Sequence, residues 1–186
     1  MPLGVWDVMI GRDEAGCLDY LKHLAVAEPR SLCHYESYLV AEVDGRPAAA
    51  LCGFATRDGG WIAVGEASAS VQRDLKITAK DLAEAERRSS PIWSCFMPDA
   101  GDWGVENVAT LPEYRRRGLV DALMSRMLDE GRKRGCRCAQ ITILIGNDPA
   151  QKAYEKAGFK VSDERRNSDF ETLLGSPGFR RLTRDL

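Results

Sequence analysis

Histidine is scarce in this sequence, and its cysteines are not grouped as a metal site requires. Among 186 residues there are two histidines, His23 and His34, and six scattered cysteines. The closest cysteine pair, Cys136 and Cys138, has no histidine nearby, whereas zinc sites use Cys-x-x-Cys pairs or regularly spaced histidines. We therefore expect no metal site, and free thiols in a reducing compartment.

The sequence also lacks a long apolar run and an excess of positive charge. No stretch approaches the length of a membrane span, and the N-terminal segment has neither the basic nor the apolar region of a signal peptide. The formal net charge is −2 and no basic domain stands out, which fits poorly with nucleic-acid binding. We expect a cytoplasmic protein with no membrane partner and no nucleic-acid partner.

The overall composition is that of an ordinary globular chain. Hydrophobic residues make up 44% and charged residues 29% of the sequence, both typical values. A chain of 186 residues can bury a core without disulfides. We therefore expect a single domain over residues 1–186.

The clearest pattern lies between Val105 and Phe159, where strand and helix periodicities alternate. The expected elements are a strand over 105–111 stopped by Pro112, a helix from Leu119 to about Gly135, a strand over 138–145, and a helix capped by Asp148 and ended by Gly158. Such an order is typical of an α/β domain.

The rest of the chain gives a second set of expected elements. Residues 3–10 show no convincing strand and are expected to be irregular or helical. The others are a helix from Asp13 to about Ala27, a hairpin of strands 35–43 and 46–55 around Asp44-Gly45, helices over 68–75 and from Thr78 to about Arg88, a strand over 160–163, a helical turn over 170–174 and a strand over 179–183.

The segment from about 57 to 103 is treated as an insert that contains helices and aromatic residues. Trp93, Phe96 and Trp103 approach the first strand of the central pattern. Each ring taken singly fits core packing, whereas the segment as a whole is expected to border an acceptor pocket.

The turn before the central helix has the composition of a phosphate site. Arg115, Arg116, Arg117 and Gly118 precede the helix, whose first N–H groups have no intrahelical partners and lie at the positive end of the helix dipole. Taken alone, three arginines before a helix more often form a solvated surface cluster, so both interpretations stay open on this turn.

Two motifs in this region resemble the GNAT superfamily of acyl-CoA-dependent N-acetyltransferases. The family signature is Arg or Gln, two residues, Gly, one residue, then Gly or Ala, and this chain has Arg115, Gly118 and Val120 in those places. Downstream it also has the residues Asn147, Ala150, Tyr154 and Ala157-Gly158-Phe159 at the family's spacing. Val120 departs from the usual small residue, which implies weaker or slightly displaced cofactor binding.

The resemblance implies the GNAT fold and acetyl-CoA as cosubstrate, without a metal. The fold is a mixed, mostly antiparallel sheet with a splayed parallel pair, flanked by helices. The implied contacts are pantetheine along Val108, Ala109 and Thr110, pyrophosphate on the amides of Arg116, Arg117, Gly118, Leu119, Val120 and Asp121 with Arg115 beside them, and pantetheine or loop support from Asn147. Asn147 fits equally well as a turn residue before the next helix.

The resemblance also implies the catalytic groups. Tyr154 occupies the position of the general acid that protonates the leaving sulfur, although a packed tyrosine on that helix is the alternative. Glu106, on the cofactor strand, is our candidate for the general base and could instead be a structural carboxylate. Strand alternation places Glu106 on the same face as Val108 and Thr110.

The implied reaction is transfer of an acetyl group from acetyl-CoA to a primary amine of a small-molecule or amino-acid-like acceptor. A protein N-acetyltransferase and a non-catalytic acyl-CoA-binding regulatory module are the alternatives. Val120 and the uncertain base motivate the second of them. The expected partners are acetyl-CoA and an amine acceptor, with the protein as a monomer or homodimer.

Overall fold

The computed structural model describes residues 4–186 as a six-stranded sheet flanked by helices. The helices are α1 (Val5–Ile10), α2 (Glu14–Leu24), α3 (Gly60–Asp74), α4 (Ala79–Ser94), α5 (Leu119–Lys133), α6 (Asp148–Lys156) and α7 (Ser168–Leu174). The strands are β1 (Tyr38–Val43), β2 (Arg46–Ala55), β3 (Trp103–Thr110), β4 (Cys138–Leu144), β5 (Lys160–Arg166) and β6 (Gly178–Asp185).

The strands lie in the order β1-β2-β3-β4-β6-β5. Strands β3 and β4 are parallel, whereas the other neighbouring pairs are antiparallel. This arrangement confirms the mixed, mostly antiparallel sheet with one parallel pair. It places the end of β3, the start of α5 and the end of β4 at the same edge of the sheet.

Helix α5 covers one face of the sheet because its apolar residues recur at helical spacing. Its Met124, Met127 and Leu128 are buried in one cluster with Leu51 of β2. Since alternate residues of a strand face opposite sides, the next residue, Cys52, faces a second cluster formed with α2 and α3. The sheet is therefore covered on both faces.

Trp103 is part of the first of these clusters and is only 1% exposed. It fits there because glycines lie on either side of it. A Cβ atom at Gly53 or at Gly131 would lie 2.8 Å from the indole of Trp103. Of the two interpretations of this aromatic residue, core packing is the correct one.

Most of the described segment before α2 is a short helix. Residues 5–10 form α1, and residue 3 lies outside the described residues. Val8 of α1 is buried together with Ile92 of α4 and Phe170 of α7. Packing against two other helices accounts for a helix at a place where the sequence showed no strand alternation.

The insert contains two helices that are longer than predicted. Helix α3 begins at Gly60 instead of residue 68, and α4 runs to Ser94 although Pro91 lies inside it. A proline in a helix removes one backbone hydrogen bond, and burial of Ile92 and Cys95 beside it offsets that loss. The capping box at Thr78 is confirmed, since its side chain and that of Asp81 bond each other's backbone N–H groups.

The hairpin and the C-terminal strands agree with prediction apart from their ends. Asp44 and Gly45 both have positive φ, as a two-residue hairpin turn needs. Residues 35–37 form a 3-10 turn instead of strand, and β5 continues to Arg166. Glu164 of this edge strand forms an ion pair with Arg180 of β6 at 2.6 Å.

Within residues 4–186 no helix is both long and apolar enough to cross a membrane. In the same part of the chain, no three histidine, cysteine, aspartate or glutamate side chains are grouped as a metal site.

Candidate active site

The parallel strands β3 and β4 separate at their C-terminal ends. They are paired only where Trp103, Gly104 and Val105 face residues 139–141. Beyond Val105, β3 remains paired with β2 as far as Thr110, and β4 remains paired with β6. An opening therefore lies between the two strands, with the backbone of Val108, Ala109 and Thr110 along one side of it. An extended ligand can add to such an unpaired strand edge.

A bulge in β3 changes which side chains reach this opening. Asn107 has a positive φ of 53°, and the register against β2 shifts by one residue between the pairs of Glu106 and Ala109. Bulges of this kind redirect side chains. As a result Glu106, Asn107 and Val108 all line one cavity, so the strict alternation expected from sequence is wrong here.

Side chains from two other elements hold the bulge. The indole N–H of Trp6 donates to Oδ1 of Asn107 at 3.3 Å, and Nδ2 of Asn107 donates to the hydroxyl of Tyr38 at 2.9 Å. These bonds connect α1 and β1 to the cofactor strand. The sequence offered one signal for this site, since asparagine tolerates positive φ better than most residues.

The cavity, called the reaction cavity below, has a volume of about 270 Å³. It contains both predicted catalytic residues, Glu106 and Tyr154, and also Val108 and Asn147. The arginines of the turn and the first residues of α5 do not line it. The structure thus separates the predicted site residues into a reaction cavity and a turn at the start of α5.

Glu106 has an unusual environment for a carboxyl group. No side chain among the described residues is hydrogen-bonded to it. Burial and the nearby carboxylate of Asp99 raise the pKa of Glu106 from its ordinary 4.5 to about 8. A carboxyl group whose pKa lies near the pH of the surrounding solution is suited to accept a proton during catalysis.

Asp99 is a site residue that the sequence motifs did not reveal. It lines the reaction cavity, and Nε2 of Gln140 donates to its carboxylate. Oε1 of Gln140 accepts from the backbone N–H groups of Ala100 at 2.6 Å and Gly101 at 3.0 Å. Gln140, from β4, therefore holds the turn before β3 and orients Asp99 toward Glu106.

Tyr154 lies on the inward face of α6 and is 5% exposed. Its ring packs edge-on against Phe159 with centroids 6.4 Å apart. Burial and the carboxylate of Glu106 raise the pKa of Tyr154 above its ordinary value. The phenol therefore keeps its proton at neutral pH and can act as a proton donor toward the cavity.

The turn before α5 leaves N–H groups free at the start of the helix. Gly118 is the N-cap residue, with φ of 75° and no side-chain hydrogen bond to the helix. The first backbone bond of the helix goes from the N–H of Ala122 to the carbonyl of Gly118. The N–H groups of Leu119, Val120 and Asp121 thus remain available to an anion.

Several charged residues around this turn already contact other groups of the protein. Arg115 donates to the carbonyl of Thr110 at 3.4 Å, and the guanidinium of Arg117 lies 5.2 Å from the ring centre of Tyr114. Asp121 is paired with Lys156 of α6, so its carboxylate is held by a cation. Arg116 has a positive φ of 60° within the turn.

Asn147 is the N-cap of α6, whereas the sequence predicts Asp148 at this position. Its side chain accepts from the N–H of Ala150 at 3.4 Å, so the prediction that Asp148 caps the helix is wrong by one residue. Pro149 still occupies the first turn, where it loses no intrahelical hydrogen bond. Asn147 also lines the reaction cavity, so the same residue both caps α6 and borders the cavity.

The comparisons with known proteins agree on one family. A model of the acetyltransferase (GNAT) family matches residues 11–159. The [ribosomal protein bS18]-alanine N-acetyltransferase of Escherichia coli (strain K12) is 38% identical over 61 residues, which are 33% of this chain and 41% of that protein. The chain therefore spans less than half the length of the curated relatives that it matches.

Solved structures share the fold at low sequence identity. One, described as an acetyltransferase, has a TM-score of 0.67 at 16% identity and covers 96% of this chain and 84% of its own. An N-acetyltransferase from Staphylococcus aureus Mu50 has a TM-score of 0.63 at 19% identity, with 97% and 89% covered. At these sequence identities, the similarity shows a shared fold and nothing more specific.

Proposed function

Because the chain belongs to the acetyltransferase (GNAT) family, we propose that it transfers an acetyl group from acetyl-CoA to a primary amine. We further propose that residues 1–186 form one acetyltransferase domain and that the insert over 57–103 borders the acceptor. The acceptor is a small molecule, amino-acid-like or otherwise. One observation carries the proposal: Glu106 and Tyr154 line the same cavity, beside the opening between β3 and β4.

The described residues fit acetyl-CoA as the cosubstrate. The free N–H groups of Leu119 to Asp121 and the positive φ of Gly118 suit the pyrophosphate. Arg115, Arg116 and Arg117 add positive charge around it. The unpaired edge at Val108 to Thr110 suits the pantetheine amides. Asn147, at the start of α6, lines the reaction cavity.

In the proposed reaction the amine nitrogen forms a bond to the acetyl carbon as the bond from carbon to sulfur breaks. Glu106 accepts the proton that the amine loses, and its pKa of about 8 makes it a stronger base than an exposed carboxylate. Tyr154 gives its proton to the departing sulfur. A backbone N–H at Val108 or Ala109 polarises the carbonyl.

Two other functions have a specific observation in their favour. A relative that is 38% identical over 61 residues is named as an N-acetyltransferase of a ribosomal-protein alanine, which favours a protein acceptor. Val120, which lies where the family pattern has a smaller residue, favours a non-catalytic acyl-CoA-binding module. The same experiment separates all three.

The experiment combines calorimetry with acetyl-CoA and release of free thiol across a panel of amines. The panel includes alkylamines, amino acids and a peptide with an N-terminal alanine. We expect binding and turnover with a small amine. Preference for the peptide would favour a protein acceptor, whereas binding without turnover on any amine would favour the non-catalytic module. Absence of binding would contradict all three functions.

Tyr154→Phe tests the mechanism in the same assay. The variant should bind acetyl-CoA like the wild type while its kcat falls by about 10²- to 10⁴-fold, the usual contribution of a general acid. Tyr114→Phe, in the turn before α5, provides the matched control. Equal turnover of the two variants would remove Tyr154 from the mechanism.

A further inference from the structure

A second cavity lies beside the reaction cavity and has no part in the mechanism described above. It has a volume of about 530 Å³ and is bordered mainly by α1, α3 and α4. Trp6, Met9, Trp61 and Trp93 line both cavities. The two spaces therefore adjoin. We call it the helix cavity.

Aromatic side chains surround the place where the two cavities meet. Trp6 and Trp61 are stacked with ring centroids 6.0 Å apart, and Trp61 meets Phe96 edge-on at 5.8 Å. Trp93 lies 5.6 Å from Phe96 and remains 45% exposed. Accessible rings of this kind bind alkyl chains and cations.

The charges that line the helix cavity are mostly negative. Helix α4 contributes Asp81, Glu84 and Glu86, and the cations are Arg12 and Arg88. Arg88 is engaged at the end of α1, where its Nε donates to the carbonyl of Val8 at 2.7 Å. Arg12 is exposed, and its charge acts on Asp81. Among residues 4–186, neither Glu84 nor Glu86 forms an ion pair with either arginine.

The reaction cavity also has more carboxyl groups than cations among its lining residues. Its carboxyl groups are Asp99 and Glu106, and its cation is Arg181. The guanidinium of Arg181 bonds Asp163 at 3.3 Å and also the carbonyl of Pro98. Its two terminal nitrogens therefore already donate to protein oxygens, and its Nε is buried without a partner in residues 4–186. Neither cavity is lined by a lysine among the residues that the structure describes.

We propose that the helix cavity is the acceptor site and that it takes an elongated diamine with an apolar spacer. The reacting amine lies at Glu106, the spacer lies along Trp6, Trp61 and Trp93, and the second ammonium lies beside Glu84 and Glu86. This inference rests on the proposed transferase function and narrows its acceptor. An acceptor with a carboxylate at the far end would instead meet the acidic surface of α4.

Three acceptors of equal length test the charge preference on the purified full chain. They are 1,6-diaminohexane, hexylamine and 6-aminohexanoate, which differ only in the group far from the reacting amine. We expect kcat/KM for the diamine to exceed that for 6-aminohexanoate by about 10-fold or more, because charge complementarity discriminates strongly against the wrong sign. Hexylamine should fall between them.

The double variant E84Q/E86Q tests whether the second ammonium of the diamine lies beside these two carboxylates. It should raise KM for the diamine by about 3- to 10-fold, the range for two partly exposed ion pairs, and leave KM for hexylamine unchanged. Glu42→Gln, on an exposed position of β1, is the matched control and should change neither. An equal effect of E84Q/E86Q on both amines would overturn the placement.

Binding is measured alongside turnover so that failure of the acceptor proposal can be distinguished from failure of the transferase function. Calorimetric titration of the three compounds should give the order diamine, hexylamine, 6-aminohexanoate, even if no amine is acetylated. Turnover of hexylamine or 6-aminohexanoate at least as fast as the diamine would overturn this inference and leave the transferase function standing. Failure to bind acetyl-CoA would instead contradict the transferase function.

Discussion

At the scale of single residues, the environment of Glu106 determines when it can act as a base. Its pKa of about 8 means that much of the group is protonated at neutral pH. Since a general base must first lose its proton, activity that depends on Glu106 rises with pH and levels off above about 8. The acceptor amine also loses its proton as pH rises, so the two effects have to be separated.

The variant Glu106→Gln separates them. The ratio of wild-type to variant kcat/KM, measured with one amine across pH 6 to 10, cancels the titration of the amine. We expect this ratio to rise with a midpoint near pH 8, where the pKa of Glu106 lies, and to reach about 10²–10⁴. A ratio that does not depend on pH would make Glu106 a structural carboxylate.

Asp99 tests the electrostatic origin of that midpoint. Asp99→Asn removes the negative charge but keeps an oxygen that can accept from Gln140. The midpoint should then move about 0.5–1 pH unit lower, because one like charge no longer opposes ionisation of Glu106. It should stay above the ordinary value for glutamate, since burial is the larger cause. An unchanged midpoint would show that Asp99 does not act on Glu106.

The turn glycine offers a matched comparison along one helix. Gly118 and Gly135 lie at opposite ends of α5, with φ of 75° and 77°, and an added Cβ would meet nothing within 4 Å at either. Alanine at either position should therefore cost a similar ~1 kcal/mol of unfolding free energy. Only Gly118→Ala should weaken acetyl-CoA binding, measured by calorimetry. Equal affinities of the two variants would place the pyrophosphate elsewhere.

The sequence was most informative about residues that belong to a motif. Tyr154 was predicted from its motif and Glu106 from its place on β3, and the structure brings both to one cavity. Asp99 and Asn107 were missed because each acts through distant partners, Gln140 and Trp6, that no spacing rule connects. The roles of the predicted residues stay predictions until the variants above are measured.

At the scale of elements, the packing of α5 on the sheet depends on small residues at its contacts. An added Cβ at Gly53 of β2 would lie 2.1 Å from Sδ of Met127 and 2.8 Å from the indole of Trp103. Such a contact forces the buried Trp103 or Met127 to move, which typically costs about 1–3 kcal/mol.

Gly53→Ala should therefore lower the free energy of unfolding, measured by urea denaturation, by about 1–3 kcal/mol. Gly65→Ala is the control, because Gly65 lies in α3 with nothing within 4 Å of an added Cβ. Alanine in a helix interior should raise stability by ~0.5–1 kcal/mol. Loss of stability in both variants would contradict the packing explanation.

The elements that sequence predicted best were those with strong local periodicity. Helix α5 and strands β2 and β4 lie within a residue or two of their predicted positions. The sequence left the region of α1 open between an irregular and a helical form and did not identify residues 89–94 of α4, because their burial comes from contacts among α1, α4 and α7. Tertiary packing of that kind leaves little trace in a local window.

At the scale of the whole molecule, the sheet brings together a turn and a cavity that lie far apart in sequence. Strand β3 leads to the turn that starts α5, while β4 leads to Asn147 and α6. Because β3 and β4 are paired only at their first residues, the space between them connects the two places. The fold class was predictable from sequence, whereas the helix cavity was not, since it depends on how four helices pack.

The most direct test of this arrangement is a crystal structure of the protein with acetyl-CoA bound. We expect the pyrophosphate on the N–H groups of Leu119 to Asp121, beside Gly118, and the pantetheine along Val108 to Thr110, with the thioester between Glu106 and Tyr154. A structure in which the strands are closed and the nucleotide lies away from the start of α5 would contradict the proposed cosubstrate site and the mechanism built on it.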